Sequence, residues 1–317
     1  MLDFGEEYRK KLCTPEEAVS VVKSGDWIDY TSSLGKPVLL DRALAARKDE
    51  LYDVKIRGNL IEGPIEVAEC DESQEHFTYH TWHCSSYERK LCDRGLCFYI
   101  PMVFHNNAAY YEFFLDVNVV MVSVAPMDKH GFFNFSVNTG VAEPIVEDAD
   151  IVIVEVNEHL PTVHGGYGEC VHVTEVDYIV EGEHEPLLEA HLPVPKEIDR
   201  KIASNVIEKI IDGATLQLGI GTIPDAVGAL IAESDLKDLG MHTELIYRMG
   251  VETAISHLRR CCYNHTKKMN KYNYWHLFEE MKELAYKRMS EIVSKRKCDD
   301  PVSEFVEIIK LQSNNLI

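Results

Sequence analysis

The residues with the clearest capacity for chemistry stand in the stretch "LQLGIGTIPDAVGALIAES", Leu216 to Ser234. An apolar run stops at Gly219-Ile220-Gly221, Thr222 and Ile223 follow, and Pro224 opens a helix-like segment. Glycines let the backbone take unusual dihedrals and let a ligand come close. A helix N-terminus presents unpaired N–H groups and a partial positive charge. The pattern therefore reads either as an anion- or oxyanion-holding turn or as an ordinary tight strand-to-helix connection. It is a poor dinucleotide fingerprint, because Pro224 stands where the third glycine of GxGxxG belongs, and no GK[ST] follows to make a P-loop. Further on, in "LGMHTELI", an acid, Glu244, sits in or near an apolar strand. It is either a surface acid at a strand end or a carboxylate aimed into a crevice.

Other reactive types are more scattered. "DKHGFFNFS" (128–136) and "HGGYGE" (164–169) are glycine-containing loops after apolar runs, where Asn134 and Gly165 could shape a pocket. "HTWHC" places His80, His83 and Cys84 at HxxHC spacing, but a zinc site needs about four ligands and no second cluster stands out, so no metal is expected. Cys84, Cys92 and Cys97 lack an evident paired base for nucleophilic work. The nine cysteines contain no CxxC and read as free thiols of a reducing compartment.

These residues need elements to hold them. "TPEEAVSVVKSG" predicts a helix capped by Thr14, with Pro15 at its first position and Gly25 as its stop. "DWIDYTS", "DVKIRGNLI", "VNVVMVSVAPMD", "ADIVIVEVNE", "ATLQLGIG" and "MHTELI" read as strands. "PVLLDRALAARKDEL" and "IPDAVGALIAES" read as helices. So does "PKEIDRKIASNVIEKIIDG", with Ile198, Ile202, Val206 and Ile210 on one face and Gly213 at its end. Strands alternating with helices predict a layered α/β fold with a largely parallel sheet.

The chain of 317 residues carries a net charge of −21, which argues against nucleic acid as a partner. It has no apolar run long enough to span a bilayer, and the charged start "MLDFGEEYRKK" lacks the apolar middle of a signal peptide. A cytoplasmic location is the expectation. Charge is uneven: residues 248–317 hold 13 Lys and Arg against 9 Asp and Glu, a balance of +4, which leaves −25 for residues 1–247. Only Gly250 of the 18 glycines falls in that last stretch. There Trp275, Phe278, Met281, Ala285, Met289 and Ile292 recur at helical spacing, and Arg259, Arg260, Lys267 and Lys268 read as a solvated basic face.

"LQLGIGTIPDAVGAL" followed by "LGMHTE", with "SGDWIDY", "VAPMDKHGFFNFS", "VIVEVNEHLPTVHGG" and "VTEVDYIVEGEHEPL" in order before them, resembles the acetyl-CoA hydrolase/transferase family. The likeness is greatest to its butyryl-CoA:acetate and 4-hydroxybutyrate CoA-transferases and covers about residues 1–246. It implies two related α/β domains, with residues 1–195 forming the first and 196–247 the start of the second. A non-matching helical tail, 248–317, replaces or truncates the remainder. It implies that Gly219, Ile220, Gly221, Thr222 and Ile223 are the turn contacting CoA, and that Glu244 is the nucleophile that becomes a glutamyl-CoA thioester. Coenzyme A is then a substrate and no permanent cofactor is implied; short-chain acyl-CoA and a carboxylate such as acetate are the partners, in a homo-oligomer. A catalytically impaired remnant or assembly partner, and an acyl-CoA hydrolase, are the alternatives that the same residues leave open.

Overall fold

The computed structural model describes residues 4–163, 168–188 and 194–241. It divides into two compact units, Met1–Leu188 and Glu189–Ile317.

Unit 1 is built on an eight-stranded sheet whose members all pair in parallel: β1 (Leu12–Cys13), β2 (Trp27–Ser32), β3 (Val54–Asn59), β4 (Phe77–Thr81), β5 (Phe98–Tyr99), β6 (Val119–Val124), β8 (Ile151–Val156) and β10 (Tyr178–Glu181). Between them β7 (Phe132–Asn134) and β9 (Cys170–His172) form a separate antiparallel pair. The main sheet runs β1-β10-β8-β6-β2-β3-β4-β5. The chain therefore builds outwards from β2 through β3, β4 and β5, then returns to β6 on the other side of β2. That reversal makes the carboxyl ends of β2 and β6 the topological switch point, the place where open α/β sheets take ligands.

The central strands are buried on both faces, and their alternation explains the two cores. Val119 and Met121 of β6 face one cluster; Val120, Val122 and Val124 face the other. The first cluster is covered by α2 (Pro15–Val19), α3 (Val38–Ala46), α4 (Glu66–Glu69) and α5 (Ser86–Asp93), which follow α1 (Phe4–Lys11) in the chain. The second takes Tyr111 from α6 (Asn107–Phe114), Ala142 and Ile145 from α7 (Ala142–Asp148), and Phe133 and Val171 from the β7–β9 pair. Reciprocal capping boxes start two of the helices. Glu17 N donates to Thr14 Oγ1 while Thr14 N donates to Glu17 Oε2 (3.2 and 2.9 Å); Ser85 and Glu88 repeat the arrangement at α5 (3.0 and 2.7 Å). The expected cap at Thr14 is present, but α2 stops at Val19 rather than running to Gly25, whose φ of 91° serves the next turn.

Unit 2 contains α8 (Glu197–Ile207), β11 (Thr215–Leu216), α9 (Thr222–Glu233) and β12 (Gly240–Met241). Ala203 of α8 packs with Ala226, Val227 and Ile231 of α9. Of the expected apolar face, Ile198, Ile202 and Val206 are turned outward and exposed, Asp199 and Ala203 are buried instead, and only Ile210, past the end of the helix, packs against the buried cluster. The small side chain of Ala203 brings the helix close to α9, and that contact sets the rotation of α8. The helix also ends at Ile207, ahead of Gly213. Among the described residues no helix is long and apolar enough to cross a membrane.

Candidate active site

In unit 2, β11 runs into the glycine turn and α9 starts immediately after it. Gly221 is the N-cap of α9 at φ 132°, ψ 173°, a conformation that side chains rarely adopt. Its carbonyl accepts the first helical bond, from Asp225 N at 3.1 Å. Among the described residues a Cβ at Gly219 or Gly221 would meet only the Pro224 ring, at 3.9 Å. Packing therefore does not demand glycine at 219. Ile220 beside it is exposed. β11 pairs in parallel with β12, Thr215 opposite Gly240 and Leu216 opposite Met241. The chain thus leaves both strands at the same end, into the glycine turn from Leu216 and towards Glu244 from Met241. Glu244 itself lies outside the described residues, as do Gly165 and residues 248–317.

Three of the six described non-glycine residues of unit 1 with positive φ lie around its switch point. Thr31 (φ 57°), Ser33 (φ 51°) and Ser136 (φ 60°) all occupy the left-handed region, which is costly for a β-branched threonine above all. Side chains hold them there. Asp29 Oδ1 accepts from Thr31 N at 2.8 Å, and Asn134 Oδ1 accepts from Ser136 N at 2.7 Å. The buried Asn138 ties the two turns together: its Nδ2 donates to Thr31 Oγ1 (2.7 Å) and its Oδ1 accepts from Ser32 N (3.1 Å). Gly35 abuts the Asn138 amide so closely that a Cβ there would overlap it.

Beneath this loop lies a buried charge group. Asp29 Oδ2 accepts from Tyr111 OH at 2.7 Å and faces Arg57 Nε at 3.4 Å. Arg57 stacks over Trp27, 4.8 Å from the ring centroid, and donates to the Asp116 carbonyl. Burial pushes the Asp29 carboxyl up to about 6 against the pull of Arg57. The helix that opens at the switch point, α3, is already satisfied. The wholly buried Glu155 at the end of β8 accepts from Val38 N (2.8 Å), Leu39 N (2.8 Å) and Leu40 N (3.0 Å). His184 closes over it, Nε2 3.1 Å from Glu155 and Nδ1 3.3 Å from Glu158.

Sequence reasoning passed over Thr31, Ser33, Gly35, Asn138 and Glu155. "TSSLGKPVLL" carried the available signal. Like "LGIGTIPDAV", it is a strand running into a small-residue turn with a proline just before or inside the next helix. Asn134 is spent on scaffolding: besides Ser136 N, its Oδ1 accepts from Val163 N (3.0 Å) and its Nδ2 donates to Val163 O (3.0 Å). Among the described residues no group of three or more His, Cys, Asp or Glu is placed to hold a metal ion. His80 stacks on Phe98 at 5.3 Å, and burial, then Arg57 and Lys55, lower its pKa to about 4. Burial pushes the Cys84 thiol up to about 11 and raises Cys97 further, the opposite of an activated nucleophile.

The acetyl-CoA hydrolase/transferase N-terminal domain matches the chain over residues 2–189. The chain belongs to the acetyl-CoA hydrolase/transferase family. Within that family it is 46% identical over 255 residues to a butyryl-CoA:acetate CoA-transferase of Anaerostipes caccae, a match covering 80% of this chain and 57% of the relative. Among solved structures it is similar to RipA from Yersinia pestis (TM-score 0.72, 30% identity, 80% of this chain and 61% of that one). It is also similar to the 4-hydroxybutyrate CoA-transferase of Porphyromonas gingivalis (TM-score 0.66, 25% identity, 80% and 59%). The parallel α/β architecture is thus the architecture of this family's transferases. The chain spans about half the length of the curated relatives it matches.

Proposed function

We propose that this chain carries the catalytic half-site of a CoA-transferase that moves coenzyme A between a short-chain acyl-CoA, such as acetyl-, butyryl- or 4-hydroxybutyryl-CoA, and a carboxylate such as acetate. The observation that carries the reading is the register of unit 2. Leu216 and Met241 stand side by side in parallel, so the glycine turn and the segment containing Glu244 leave from the same strand ends. In this reading Glu244 attacks the acyl-CoA carbonyl, thiolate leaves, and an acyl-glutamyl anhydride forms. The thiolate then attacks the glutamyl carbonyl, releasing the first acid and leaving glutamyl-CoA; a second carboxylate runs the steps in reverse. Each step passes through an oxyanion, and backbone N–H groups of residues 219–223 at the start of α9 are its stabilisers. One such donor is typically worth about 3–4 kcal/mol.

Coenzyme A is a substrate here, and the chemistry calls for no permanent cofactor. The six described cysteines are free thiols, which supports action in the reducing cytoplasm. The test is chemical trapping. After incubation with acetyl-CoA, hydroxylamine or borohydride should leave a mass change on the peptide containing Glu244, absent from a Glu244→Gln chain. An unmodified peptide in a protein that binds no CoA would instead support the second reading, a non-catalytic assembly partner.

A further inference from the structure

We propose that Cys92 and Cys97, at the end of α5, are a modification site: a dithiol that a hydroperoxide closes to a disulfide. The way α5 stops brings the two together. Gly95 takes φ 76°, its N–H donates to the Cys92 carbonyl (3.0 Å), and Leu96 N donates to the Leu91 carbonyl (2.9 Å). These are the two bonds of a Schellman turn, which folds the chain back over the last helical turn. Leu91 and Leu96 are both buried in the first core cluster, and each is followed by a cysteine. Cys97 is a buried member of that cluster, and the partly buried Cys92 packs against it. Cys84, the residue before the Ser85 cap, also lies beside Cys92, so three thiols meet around one sulfur.

The surroundings select the chemistry. Burial first, and Cys92 next to them second, raise Cys84 to about 11 and Cys97 further. Both neighbours of Cys92 are therefore protonated thiols at neutral pH, and a thiol is what a sulfenic acid condenses with. Partial exposure lets a molecule as small as a hydroperoxide reach Cys92. The Cys92 thiol gives up its proton and its sulfur attacks one peroxide oxygen. The O–O bond breaks, Cys92 becomes a sulfenic acid, and the departing oxygen takes up a proton. The Cys97 sulfur then attacks the Cys92 sulfur, the S–OH bond breaks, and the Cys97 proton leaves with the hydroxide as water. The two thiols lose two electrons, and these reduce the peroxide. Backbone distance favours Cys97 over Cys84 as the second thiol. Cys92 stands seven residues beyond the Ser85 cap, about 10 Å along the helix axis, and a disulfide needs Cα atoms within about 7 Å. The bond ties α5 to β5, the last strand of the sheet, which is only two residues long.

Peptide mapping of the full chain before and after hydrogen peroxide tests this. The peptides holding Cys92 and Cys97 should lose two hydrogens in total, resist alkylation, and recover both thiols with dithiothreitol. Cys92→Ser should abolish the bond, Cys84→Ser should leave it, and Cys97→Ser should leave a sulfenic acid on Cys92 that dimedone traps. Hydrogen exchange on the unaltered chain supplies an arm free of any folding defect. The Ile100 amide, which donates to the Thr81 carbonyl beside β5 (2.7 Å), should exchange more slowly in the oxidised protein. Alkylatable thiols at both positions after excess peroxide would overturn the proposal. So would a bond from Cys92 to Cys84, or one between two chains. A Cys92–Cys97 bond that forms as fast in urea as in the folded protein would also overturn it, because the turn would then have no part in the reaction.

Discussion

His184 shows how one side chain can tie a segment to the sheet. Its ring is 2% exposed, and each nitrogen faces a carboxylate, Glu155 on one side and Glu158 on the other. Both contacts are hydrogen bonds at once only when both nitrogens carry a proton. Burial works against that charge, but the bonds to Glu155 and Glu158 outweigh it, and the pKa is raised above its ordinary 6.5. A raised folded-state value means that the folded protein holds the proton more tightly than the unfolded chain does. The stabilisation is therefore complete below 6.5 and is lost as the pH climbs through the raised value. Urea unfolding of the natural chain should show midpoints that decline as the pH rises above about 6.5, and His184→Gln should flatten much of that decline. Equal slopes for the two proteins would show that His184 is neutral in the fold. Nothing in the sequence announces this clamp. Glu155 sits in the apolar run "IVIVEV" and His184 29 residues later, and only the parallel pairing of β8 with β10 brings the two together.

At the scale of elements, the buried strands were the easiest part to read, because six-residue runs such as "VVMVSV" and "IVIVEV" have few other ways to hide their side chains. Helix starts were equally legible where a cap or a proline marked them, at Thr14 and just ahead of Pro224. Helix ends and faces were not. The four-residue spacing of Ile198, Ile202 and Val206 locates a helix but does not say which side will be pressed on a neighbour, and Ala203 decided that. The glycine turn was visible because glycine is its own flag, whereas the strained loop at Thr31 is written in ordinary polar residues whose dihedrals depend on Asp29 and Asn138. That dependence can be tested at Gly35. Gly35→Ala would drive a methyl group into the Asn138 amide, which cannot retreat without giving up Thr31 and Ser32. A loss of about 1–3 kcal/mol is expected in urea unfolding, as for overpacking elsewhere. A chain as stable as the natural one would mean that the loop is not held by Asn138.

For the whole molecule, the two units are unequal in what they bury. Unit 1 has two extensive clusters on either side of its sheet, while unit 2 has four buried apolar side chains in its cluster among its described residues and strands only two residues long. Local opening is least costly where few apolar contacts must be broken. In hydrogen-exchange mass spectrometry the amides of α8, α9, β11 and β12 should therefore exchange well before those of β6 and β8. Simultaneous exchange of all of them would mean that the chain unfolds as a single cooperative block.

Glu155 has a wider meaning for what can approach the large sheet. Open α/β folds often seat a nucleotide's phosphates on the first helix at the point where strand order reverses. Here that berth is filled from inside by a permanent tenant, one that a loose anion cannot match in local concentration. In the function proposed above, the nucleotide end of the thioester is therefore gripped away from α3.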